Sequence, residues 1–264
     1  MRTGAAALLA LATATPAAAQ EREFCPERPG LETQTCIVDR GRVLVESSLA
    51  DWTRDRQSDG TTDTVLIGDT LVRVGVTDRL ELRAGWQLFG HQRTRDATTG
   101  AIDRADRVGD AVVGLKASLL HPDGQGLSIA ILPSVTLPVG REPIGAGRVQ
   151  PSLLLPVSYD VSDAVTLGVT PAIRGLANQD GPGEHLRYGA AAGVTVKVSE
   201  AVSVGADASL ARDDEPGDHT TRARAAMTLA WQPKDDWQLD TSAIAGLNRD
   251  TPDVELIAGI ARRF

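Results

Sequence analysis

No stretch of this 264-residue sequence holds anything near 18 consecutive apolar residues, so membrane-spanning helices are excluded. Apolar residues at helical spacing are scarce too. The chain has no basic excess: Lys and Arg number 27 against 35 Asp and Glu, a net charge of −8. An acidic chain has too few cations to displace counterions from phosphate, which argues against nucleic acid as a partner. Histidines number only four, His91, His121, His185 and His219, and none has a serine two residues away on the same strand face. A serine hydrolase needs that proximity, and each histidine reads as an ordinary exposed residue. The glycine-rich Gly145-Ala146-Gly147 lacks the lysine and the strand-to-helix setting of a phosphate loop. No metal site, cofactor site or catalytic residue is expected, and the chain reads as a non-enzyme.

Cysteine is nearly absent as well. The two present, Cys25 and Cys36, follow closely on an N-terminal stretch with the marks of a secretory signal: Arg2, an apolar run from Ala5 to Leu11, and Ala17-Ala18-Ala19 before the expected cut. In an exported chain such a pair predicts a disulfide, worth roughly 3 kcal/mol through restraint of the unfolded chain. The expected organisation is a signal peptide over 1–19, a periplasmic segment over 20–40 carrying the disulfide, and one domain over 41–264.

What is abundant after residue 40 is alternation. Leu80, Leu82, Ala84, Trp86 and Leu88 share one face of a segment whose other face holds Glu81, Arg83, Gly85 and Gln87. The same two-residue period runs through 110–119, 186–198 and 222–231. Period two over such lengths means β-strands with one apolar and one polar face. About twelve strands are expected, starting near Gly41, Thr62, Leu80, Val108, Leu127, Val149, Val165, His185, Val202, Thr220, Trp237 and Asp253. An even number of strands this long suits an antiparallel up-and-down transmembrane β-barrel. The mean hydropathy of −0.12 does not oppose that reading, because lipid-facing and lumen-facing residues cancel in the average.

Short turns at 77–79, 121–126, 161–164, 199–201 and 233–236 alternate with longer polar links at 53–61, 92–107, 139–148, 177–184 and 213–219. This is the asymmetry of periplasmic turns and extracellular loops. Aromatics make up only 3 % of the chain, yet Tyr159, Trp231, Trp237 and Phe264 all fall at strand ends on the short-turn side, where an interfacial girdle belongs. The last strand closes on Phe264, an end suited to recognition by barrel-assembly machinery.

Several stretches resemble a family of bacterial outer-membrane transporters named for a MetA pathway of phenol degradation. They are Leu66-Ile67-Gly68-Asp69, Val76-Thr77-Asp78-Arg79-Leu80-Glu81, Val108-Gly109-Asp110, Gly114-Leu115-Lys116, Val135-Thr136-Leu137-Pro138-Val139-Gly140, Pro252-Asp253-Val254-Glu255-Leu256 and Arg262-Arg263-Phe264. The resemblance covers nearly all of the mature chain. It implies an outer-membrane barrel with a transport role and brings no catalytic residues.

With the apolar faces turned to lipid, the lumen is expected to be lined by Arg73, Arg83, Lys116, Arg174, Arg187, Lys197, Arg222 and Arg224, opposed by Glu46, Asp69, Glu81, Asp110, Asp207, Asp240 and Glu255. That near balance argues against strong ion selectivity, and a barrel of this strand number is narrow enough for the charges to cross-pair. The expected function is a pore or transporter in the cell outer membrane admitting small, hydrophobic or aromatic solutes. Its alternatives are a non-conducting structural or surface-recognition barrel and an outer-membrane lipid hydrolase. The expected partners are outer-membrane lipid, the assembly machinery and an unidentified small solute.

Overall fold

The computed structural model describes residues 21–178 and 182–264; the expected signal peptide lies outside the described residues. Fourteen strands follow one another: β1 (Val43–Arg56), β2 (Gly60–Thr77), β3 (Leu80–Asp96), β4 (Ile102–Arg107), β5 (Ala111–Leu120), β6 (Leu127–Leu137) and β7 (Gln150–Leu154). Then come β8 (Val157–Ser162), β9 (Val165–Ala177), β10 (Glu184–Lys197), β11 (Val202–Glu215), β12 (Asp218–Lys234), β13 (Trp237–Gly246) and β14 (Val254–Arg263). Upper β3 pairs with β4 and lower β3 with β5, so these two form a single stave broken at 108–110. Likewise β7 and β8 both lie between β6 and β9, broken at 155–156. Every pairing is antiparallel, and β14 meets β1 to close a barrel of twelve staves. Closure leaves no free sheet edge, as a membrane-embedded sheet requires.

The burial pattern is inside out. Leu82, Trp86, Val113, Leu119, Leu186, Leu210, Met227 and Leu229 are exposed on the outer wall, whereas Arg73, Glu81 and Lys116 are completely buried. Hydrocarbon is the solvent that stabilises such an exterior.

Three of the links expected to be long loops are mostly strand. β1 and β2 leave only 57–59 between them, β11 and β12 leave Pro216 and Gly217, and 92–107 is a hairpin turning at 97–101. With its 18 residues, β2 spans about 45 Å at a rise near 3.3 Å per residue and a tilt near 40°, well beyond a hydrocarbon core about 30 Å thick. Past the bilayer both faces of a ladder are wet, so alternation stops marking the strand. Cross-strand polar pairs hold it instead: Arg54–Asp63 at 2.8 Å, Thr62–Thr94 at 3.2 Å and His91–Asp106 at 2.6 Å. The link at 139–148 remains a loop and folds inward. The side chain of Asp110 accepts the amides of Gly140 (3.0 Å) and Ala146 (2.7 Å), and Ile144 packs against Gly90 and Gly109.

Alternation also slips once within the wall. Leu88 and Phe89 are both exposed although adjacent, and Gly68 opposite them takes a positive φ of 70°. A β-bulge at Leu49 shifts β1 against β14 at the same level. Above this belt the inward-facing parity of β1, β2 and β3 is reversed, which turns Asp51 toward Asp69 and Glu255.

Candidate functional site: the barrel lumen

Residues 21–40 were expected to lie in the periplasm. They instead enter the barrel at the short-turn end, climb to about mid-height, and return to begin β1. The base of this segment packs Phe24 and Val38 against Leu44 and Ala261. Above it the Cys25–Cys36 disulfide, expected from sequence, ties the rising and returning limbs. Arg73 holds that crosslink. It donates to the carbonyls of Cys25 (3.0 Å) and Cys36 (3.1 Å) and pairs with Glu81 (2.8 Å) and Glu46 (3.1 Å). A fully buried guanidinium needs all its donors met, and these four partners do so.

The rest of the segment is fastened around the whole circumference. Glu27 is clamped by Arg83 and by Lys116 at 2.9 Å. Burial alone would raise the pKa of Glu27, but Arg83 and then Lys116 outweigh it and hold the carboxyl well below the usual range. Arg28 reaches Asp240 at 3.1 Å and Ser48 at 2.8 Å. At the tip, the amide of Leu31 donates to Asp207 (3.0 Å) and that of Thr33 to the Thr170 hydroxyl (3.0 Å). The return limb pairs Thr35 with Ser158 (2.7 Å), and the Val38 amide donates to Glu81 (2.9 Å). Glu32 is buried at the tip beside Asp207 and Gly168. Burial first, and the Asp207 charge second, push its carboxyl up to about 7.

The tip divides the lumen. Leu31 and Thr33 line a cavity of about 340 Å³ on the long-loop side. Gly30, Glu32 and Gln34, on the opposite face of the same stretch, line one of about 590 Å³ open toward the short turns. Lys197 lies by that lower mouth, paired with Glu23 of the segment.

The charged residues expected to line the lumen are thus sorted by height. Glu46, Arg73, Glu81, Arg83, Lys116, Asp207 and Asp240 grip the inserted segment, and Asp110 holds the inward loop. Arg174, Arg187, Arg222, Arg224 and Glu255 line the upper cavity, with Asp69 and Asp51 near Glu255 across it. Around the upper cavity the arginines thus gather from β9, β10 and β12, while Asp51, Asp69 and Glu255 gather from β1, β2 and β14. No period in the sequence announces the inserted segment. Its one trace is the number of charges assigned to a narrow lumen, more than a wet passage needs.

The histidines find partners other than serine. His91 bonds Asp106 and His121 bonds the Leu127 carbonyl at 2.9 Å, while His219 faces Asp214 at 3.5 Å. His185 departs from the exposed residue expected: it is 9 % exposed, between Asp213 (2.8 Å) and Glu215 (3.0 Å). Asp213 and Glu215 of the neighbouring β11, with Asn178 at 3.1 Å, enclose it. Among the described residues no cluster of His, Cys, Asp and Glu suited to a metal ion occurs. Tyr159, Trp231 and Phe264 are exposed at the short-turn end, where Trp231 meets Trp237 edge-on at 6.2 Å and Arg262 lies over Phe264 at 4.8 Å.

Twelve closed antiparallel staves, an apolar exterior, a charged interior and turns of unequal length at the two ends define an outer-membrane β-barrel. The chain belongs to the family described as "Putative MetA-pathway of phenol degradation", whose model matches residues 27–264. That span includes most of the inserted segment. Comparison with curated proteins finds no match. Among solved structures, the NanC porin superposes with a TM-score of 0.52 at 8 % identity, covering 83 % of this chain and 98 % of the porin. The transport unit of the autotransporter AIDA-I from Escherichia coli gives 0.53 at 8 % identity, with 84 % and 89 % covered. The CymD monoaromatic hydrocarbon channel gives 0.44 at 9 %, with 86 % and 88 % covered. At such identities the likeness to the NanC porin and the AIDA-I transport unit speaks for the fold alone.

Proposed function

We propose that this protein is an outer-membrane channel for small solutes whose passage is interrupted by its own N-terminal segment. The observation that carries the reading is the pair of cavities, about 340 and 590 Å³, parted only by the tip at 30–34. The segment is held by hydrogen bonds and ion pairs with little apolar burial above its base, so its fastening is polar and depends on a few buried pairs. Export through a cleaved signal at 1–19 and assembly through β14 and its terminal Phe264 complete the reading. The histidine partners give no support to lipid hydrolysis.

Liposome swelling with refolded mature protein tests this. Influx of small neutral and charged solutes is expected, faster when Glu27 and Arg28 are both replaced by Ala. Sealed liposomes with both proteins would leave the barrel non-conducting and end the proposal.

A further inference from the structure

Four arginines converge on the upper cavity from three staves: Arg174 on β9, Arg187 on β10, and Arg222 and Arg224 on β12. Arg174 and Arg187 stand directly opposite each other in the ladder, an arrangement of like charges that weakens a sheet. Arg174 lies within electrostatic reach of both Arg187 and Arg224, and Arg222 within reach of the same two. A guanidinium cannot shed its proton to relieve such crowding.

Protein carboxylates relieve it only in part. Asp213 takes Arg187, and Arg222 at 3.5 Å, while sharing its other oxygen with His185. Arg224 reaches the Ser209 hydroxyl at 3.3 Å. Among the described residues no carboxylate lies within ion-pair distance of Arg174 or Arg224. The four arginines face a space of about 340 Å³ in which Asp213 pairs with Arg187 and Arg222 while Asp51, Asp69 and Glu255 gather together, so Arg174 and Arg224 are the two of the four without an ion pair. Leu31 and Thr33 are among the lining of that space, so the inserted tip forms part of its wall.

We infer that the upper cavity is a binding site for a small organic carboxylate, held by Arg174 and Arg224 above the tip of the N-terminal segment. The planar donor fork of arginine matches the two oxygens of a carboxylate, and the ligand supplies the ion-pair partner that Arg174 and Arg224 lack among the described residues. The side chain of Leu31 and the methyl of Thr33 offer the organic body an apolar rest. This assigns a solute class to the proposed channel and rests on that reading for its place on a transport path.

The test is isothermal titration of the refolded protein in detergent with benzoate, and with benzamide as its neutral counterpart of nearly the same shape. Benzoate is expected to bind and benzamide not. Arg174→Gln and Arg224→Gln should each weaken benzoate about ten-fold, the size of one lost charge-assisted hydrogen bond. Both variants should keep or raise the melting temperature, because each removes a like-charge contact. That separates loss of the site from loss of the fold. Equal binding of the two probes, no binding of either, or wild-type benzoate affinity in both variants would overturn the site. Benzoate binding by a barrel that leaks no solute would leave the site standing and remove the channel; solute flux without benzoate binding would do the reverse.

Discussion

Glu27 is the carboxylate of the inserted segment clamped by Arg83 and Lys116 of the wall. Removing one partner of a buried pair costs about 3–5 kcal/mol when the other charge has nowhere to go. On the proposed channel reading it has somewhere to go, because a segment freed of this clamp would withdraw and admit water to Lys116. Glu27→Ala is therefore expected to free the segment and spare the barrel: faster solute flux, a Cys25–Cys36 disulfide more readily reduced by added thiol, and an unchanged melting temperature. Unchanged flux and unchanged reducibility would show that the clamp does not hold the segment. Glu32 acts through pH. Its carboxyl is raised from about 4.5 to about 7 in the docked state. The docked segment thus holds a proton that the released one gives up, so docking is strongest below pH 4.5 and weakens as pH climbs through 7. Flux measured from pH 5 to pH 8 should rise, and Glu32→Gln should flatten that rise; an equally steep profile in the variant would assign it to another group.

At the scale of elements, the positions that matter are those where a regular ladder is interrupted. Gly68 adopts φ of 70°, and a side chain there would also press on Leu88. Gly68→Ala is expected to destabilise the barrel by about 1–3 kcal/mol, read from urea unfolding in detergent. An unaltered midpoint would mean that the reversal of parity above Gly68 does not depend on glycine. The Cys25–Cys36 link belongs to a different element, the inserted segment, and closes only a short loop. Replacing both cysteines by serine should speed solute flux and leave barrel melting in place. The strand starts were readable because each membrane-crossing stretch of β1–β14 presents hydrocarbon on one side and polar groups on the other. The hairpin extensions at 53–61, 92–107 and 213–219 were not, since water bathes both of their faces and Thr, Arg and Asp read there as loop.

For the whole molecule, the sidedness set by the turns predicts which end a reagent meets. A single cysteine at Asp96, in the extended β3–β4 hairpin, should label with an impermeant maleimide on whole cells, and one at Asp235, between β12 and β13, should not. The native cysteines are oxidised and stay silent. Label at Asp235 alone would invert the barrel. Net charge is a property of the same scale, and it conceals what the fold does with it. A chain of charge −8 nevertheless lines one cavity with four arginines, because the fold gathers Arg174, Arg187, Arg222 and Arg224 from strands up to 50 residues apart.

The sequence by itself determined the twelve staves, the lipid-facing side of each below the slip at Gly68, and the disulfide. All of these are written in a two-residue period or in neighbours a few positions apart. Only the tertiary structure decided that residues 21–40 lie inside the barrel, that His185 is buried, and that four arginines share one cavity. Those facts join residues as distant as Arg28 and Asp240, 212 positions apart. The closing of β14 onto β1 creates the enclosed space in which such pairs meet, and no local pattern along the chain carries that closure.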